Sequence, residues 1–125
     1  MHRHDFDIDR DRYFEIEGVA KDSLAVIMPI TNPIKLIFRM REVSDHTIIL
    51  EKTTDVVTEI ENTDPANGEY RVYINIADTT LLAPGLYEYE VVYIDDPASP
   101  VEVYNLNPTE DETGYVHLKD VLVDV

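Results

Sequence analysis

Nine consecutive residues, LYEYEVVYI from Leu86 to Ile94, alternate between two faces. Tyr87, Tyr89, Val91 and Tyr93 fall on one side, and Glu88 and Glu90 on the other. Successive side chains of an extended strand point to opposite faces, whereas an amphipathic helix spaces its apolar residues three or four apart. The segment therefore predicts a strand with one face in a core and the other in water. The same period governs IKLIFRMREV, with Ile34, Leu36, Phe38 and Met40 on one face and Lys35, Arg39 and Arg41 on the other. It returns in EYRVYINI, with Tyr70, Val72, Ile74 and Ile76 facing Glu69, Arg71 and Asn75.

Between these segments lie turn signals. Asp64-Pro65, Asn67-Gly68 and the DDPASP stretch interrupt the alternation with residues that favour turns. HTIILEKTT, VVTEIE and VEVYNL are rich in β-branched residues and read as further strands. YVHLKDVLVDV closes the pattern but changes phase: Val116 and Leu118 have one parity, Val121, Val123 and Val125 the other. A β-bulge near Lys119-Asp120 would return both sets to one face. One helical turn is expected in ADTTLLAPG, capped by Asp78, with Leu81 and Leu82 inward and Pro84-Gly85 ending it. Short strands, frequent turns and no alternation of strand and helix predict an all-β antiparallel sandwich or barrel.

A chain of 125 residues suits one domain. The expected division is residues 1–13 as an N-terminal arm or edge strand and 14–125 as the sandwich. Cysteine is absent, which excludes disulfides, cysteine zinc sites and thiol catalysis. Twenty-six acids against ten bases give a net charge of −16. That balance argues against nucleic acid and anionic membranes as partners, since both demand clustered lysine and arginine. The longest apolar run, LAVIMPI, is too short to span a bilayer, and no segment reads as a signal peptide. A soluble protein made in a cytoplasm is expected.

TTLLAPGLYEYEVVY narrows the fold further. A helical turn, Pro-Gly, and a tyrosine entering a strand with another large inward residue two positions on match the tyrosine corner of immunoglobulin-like sandwiches. Gly85 permits the backbone angles of the corner, and the Tyr87 hydroxyl can bond the upstream backbone. Tyr89 takes the place of the second cysteine of antibody domains, so apolar packing alone must join the sheets. From Ser23 to Val125 the chain resembles small immunoglobulin-like domains of tailed bacteriophages, above all the N-terminal domain of upper-baseplate proteins and related virion accessory proteins. The shared pattern is the strand from Leu36 to Arg41, a Gly-led strand, Asp78 to Val91, and a final apolar strand. The resemblance implies an immunoglobulin-like β-sandwich with one short helical turn, to which the N-terminal residues add an arm. It also implies a non-enzymatic structural part of a tail, baseplate or head, present in many copies or as a homo-oligomer. Its partners would be other virion proteins, and it would be assembled in the host cytoplasm.

The N-terminal HRHDFDIDRDR offers the one arrangement suggestive of metal chemistry. His2 and His4 share a strand face, and Asp5, Asp7, Asp9 and Asp11 share the other. Two histidines at i, i+2 can approach one ion if a carboxylate from elsewhere completes the set. A calcium loop starting at Asp5 needs Gly and Glu where Arg10 and Ile16 stand. The simpler reading is an amphipathic strand with acids outside and Phe6 and Ile8 against the body. No cofactor is expected. Serine is nowhere flanked by glycines as in a nucleophile elbow, the glycines stand apart, and the carboxylate pairs sit in loops, so no catalytic residue is expected. The alternative function is a calcium-dependent carbohydrate- or ligand-binding module built on these acids or on NPTEDETG. Four apolar residues, Ile37, Tyr73, Val92 and Ile94, have outward parity and are the expected interface residues.

Overall fold

The computed structural model describes residues 6–10, 12–21, 24, 26–98, 103–105 and 114–119, the 103–105 stretch by its backbone. In chain order the elements are β1 (Phe6–Asp9), β2 (Phe14–Val19), β3 (Lys35–Glu42), β4 (Ile48–Thr53), β5 (Ile60–Asp64), a 3₁₀ turn (Pro65–Asn67), β6 (Glu69–Ile74), α1 (Ile76–Thr79), β7 (Gly85–Ile94), β8 (Val103–Asn105) and β9 (Gly114–Lys119). The protein is an all-β, two-sheet structure. One sheet runs β1-β9-β7-β3-β4, with β8 also on β7, and the other runs β2-β6-β5.

Strand β7 organises the larger sheet. From Tyr87 to Ile94 it pairs with β3. On its opposite edge β9 takes Gly85 to Tyr89 and β8 takes Val92 to Ile94, so the two lie end to end. β1 runs parallel to β9, with Phe6 opposite Val116 and Asp9 opposite Lys119. Every other pairing between the described strands is antiparallel.

The core lies between the sheets, where the alternation predicts it. Leu36, Phe38 and Met40 of β3, the inward tyrosines and Val91 of β7, Val116 and Leu118 of β9 and Ile8 of β1 form one cluster with Ile16, Ile60, Tyr70, Val72 and Ile74. A period of two buries one side of each strand, so a slip of one residue would expose this whole set. Gly68, at φ 70°, follows the 3₁₀ turn in a left-handed conformation that suits glycine. Its carbonyl accepts from Ala20 N–H at 2.8 Å, tying the end of β2 to the start of β6.

Several expectations fail for identifiable reasons. Val56 to Glu59 of VVTEIE form turns, because the chain there crosses from one sheet to the other; β5 begins at Ile60. β6 ends at Ile74, since the Asp78 carboxylate takes the Asn75 N–H at 2.7 Å and starts a helical turn. Asp78 thus sits inside the turn, with Asn75 as the N-cap residue. Ile76 is consequently exposed, and Leu81, expected inward, is 94% exposed; Leu82 alone packs on the core. Within the LAVIMPI run, Leu24, Val26 and Ile27 are exposed, and Ile30 is buried. The proposed bulge at Lys119-Asp120 lies outside the described residues.

Candidate interaction surfaces

The corner that opens β7 is built as follows. Gly85, at φ 149°, turns the chain into the strand. The Tyr87 hydroxyl, four residues downstream of Ala83, donates to its carbonyl at 2.5 Å. Burial, and then the charge of Glu42, push the Tyr87 phenol above its ordinary value. Two residues on, Tyr89 lies in the core, its ring 5.9 Å from that of Phe38 and 5.4 Å from that of Phe6. These three rings sit on strands of the larger sheet, and Phe6 reaches the other sheet through Phe14 of β2 at 6.1 Å.

The outer face of the larger sheet carries a row of alternating charges. Arg39 bonds Glu51 at 2.9 Å and lies 3.8 Å from Glu90; Arg41 lies 3.6 Å from Glu90 and 3.8 Å from Glu88. His46, held at φ 61° in the β3–β4 turn, closes the row at 3.0 Å from Glu88. Glu88 itself is buried beneath these groups. Beyond the row, Ile37 faces Val92 across β3 and β7. Ile37 is 8% exposed, and Val92 and Ile94 are half-buried.

The N-terminal acids divide between the described and undescribed residues. His2, His4 and Asp5 lie outside the described residues. Asp7 and Asp9 point away from the core on β1, while Ile8 between them is buried. Asp7 lies 3.3 Å from Lys119 and 3.6 Å from His117 on the neighbouring β9. Among the described residues no group of three or more histidine and acidic side chains is placed to hold a metal ion.

The outer face of the smaller sheet is different in charge. Glu15 and Glu17 of β2 are exposed and share one cation, Arg71 of β6, at 3.5 and 2.8 Å. Beside them the rings of Tyr13 and Tyr73 stack at 6.3 Å. Each hydroxyl donates to a carboxylate, Tyr13 to Glu15 at 2.7 Å and Tyr73 to Glu61 at 2.6 Å. Those bonds hold a proton on each phenol. Partial burial leads the rise of Tyr13, to about 12, and the Glu61 bond leads that of Tyr73.

One ion pair was not legible in the sequence. Lys52 sits opposite Phe38 on the inward face of β4, and its ammonium meets the Asp78 carboxylate at 2.7 Å. Lys52 is 4% exposed. The sole signal is its parity, which it shares with Leu50 two positions earlier.

Comparison with models of known protein families gives no match, and comparison with curated proteins gives none.

Proposed function

We propose that this chain is an immunoglobulin-like module of a tailed-phage particle, a tail, baseplate or head accessory part acting through protein–protein contacts and without catalysis. The observation that carries the fold half of this reading is the Tyr87–Ala83 corner at the entry of β7. Strand order supports it. β2, β6 and β5 follow the B-E-D order of one immunoglobulin sheet, and β3, β7 and β9 the C-F-G order of the other, with β4 as an added strand. The particle half rests on the resemblance of Asp78 to Val91 to phage domains. A net charge of −16 keeps free copies soluble and favours partners of opposite charge.

Mass spectrometry of purified phage particles encoding the chain tests the assignment. A fixed copy number per particle is expected; a chain found in the lysate but never in particles would refute it. Light scattering with calcium and with EDTA separates the alternative. A mass indifferent to both fits a structural part, and association on calcium alone would favour a metal-dependent binding module.

A further inference from the structure

Strand β2 forms one margin of its sheet, with β6 on one side and no described strand on the other. The first described strand, β1, pairs with β9 of the opposite sheet. Register fixes what this edge displays. Ala20 donates its N–H to Gly68, so in the same ladder Gly18, Ile16 and Phe14 direct their N–H and C=O groups toward β6. Glu15, Glu17 and Val19 then direct theirs outward. An edge of this kind is a ready template for another strand.

The side chains decide which strand. Glu15, Glu17 and Val19 are the exposed residues of β2. The two carboxylates share the single Arg71 guanidinium, which leaves the edge net negative. A second copy fits poorly: antiparallel pairing of β2 with itself about Ile16 sets Glu15 opposite Glu17 in both halves, and like charges directly opposite are destabilising. It also brings together two chains of −16. At β4, the margin of the larger sheet beyond β3, the Glu59 side chain already caps the outward Thr53 N–H at 3.1 Å.

We propose that the β2 edge is a docking site for an extended basic segment of a partner protein, which adds as a further strand and sets lysine or arginine beside Glu15 and Glu17. Main-chain bonds supply the affinity, and the alternating charges supply the selectivity. The inference concerns the partner's chemistry and stands whether or not that partner belongs to a phage particle.

The test uses the full chain labelled for NMR and a capped peptide alternating lysine and valine. The amide signals of Glu15, Glu17 and Val19 should shift on titration, and a glutamate–valine peptide should leave them still. Glu17→Pro removes an outward donor at an edge position that tolerates proline and should abolish the shifts. Glu15→Lys with Glu17→Lys should weaken binding about tenfold; if the proline variant fails to fold, this pair decides. No binding at millimolar peptide, shifts that map to β4, shifts that survive both variants, or a β2-mediated dimer in the absence of peptide would each overturn the proposal. Such a result leaves the particle assignment to its own test by mass spectrometry.

Discussion

Tyr70 lies directly across from Gly18, and its ring occupies the space that a Cβ at residue 18 would need. The larger sheet repeats the arrangement: Tyr89 is opposite Gly114, and its ring covers that glycine in the same way. Glycine alone weakens a strand, having no side chain to pack. Here the missing side chain lets a tyrosine ring lie flat over the neighbouring strand and seal the core.

Gly18→Val should therefore destabilise the fold by about 2 kcal/mol through overpacking, although valine is the better strand former. Gly18→Val with Tyr70→Ala should lose less than the two single losses added together. Urea denaturation of the single and double variants checks both values; a neutral or stabilising Gly18→Val would contradict the ring-over-glycine packing.

The corner bond predicts a smaller effect. Tyr87→Phe removes the hydroxyl that reaches Ala83 and keeps the ring, and Ala83 is exposed enough for water to replace the donor. A loss of about 1 kcal/mol in thermal or chemical unfolding is expected. Tyr87→Ala should cost several-fold more, since the ring is buried.

Lys52 and Asp78 should not behave alike when replaced. Asp78→Asn strands an ammonium whose side chain is 6% exposed, and should cost about 3 kcal/mol. Lys52→Met keeps the packing of the stem and leaves a carboxylate that still accepts from Asn75 N–H, and should cost about 1 kcal/mol. A double-mutant cycle that gives additive losses would show the pair to be uncoupled.

Alkaline pH should unfold the protein through its buried phenols. Burial raises Tyr70 to about 12, and burial raises Tyr87 in the same direction. A folded value above the unfolded 10 means the native state holds its proton longer. The stabilisation is full below pH 10 and disappears as pH rises toward about 12. Tyr70→Phe should flatten the decline in that window, measured by tyrosinate absorbance alongside circular dichroism. An unchanged slope would mean that other groups drive it.

Ile8 tests the N-terminal segment. Its side chain is 1% exposed within the core, so Ile8→Ala should cost about 3 kcal/mol. An arm that stands off the body would show no such loss in the free protein.

Much of the fold is readable from β3 and β7, because a half-buried strand writes its burial into every second residue. Leu36, Phe38 and Met40, and Tyr87, Tyr89, Val91 and Tyr93, are buried as their parity dictates. Parity fails where a polar interaction intervenes. Ile76 looks like a continuation of β6 until the Asp78 side chain captures Asn75 and curls the backbone. Lys52 reads as a solvated residue, since its partner is remote in sequence and lies on another element. Ile37 has outward parity yet is buried, with Val92 and Thr53 beside it across the sheet. The open edge of β2 was equally invisible: it depends on β1 joining the opposite sheet, which no local pattern records.

That choice by β1 has a mechanical side. β1 and β9 run in the same direction, side by side. The chain enters β1 at one end of this pair and leaves β9 at the other. Tension applied through these two flanks slides one strand along the other, so the bonds between them bear the load together. An antiparallel pair drawn from adjacent ends would instead unzip bond by bond. The parallel pairing of Phe6–Asp9 with β9 thus sets its bonds in shear under such tension.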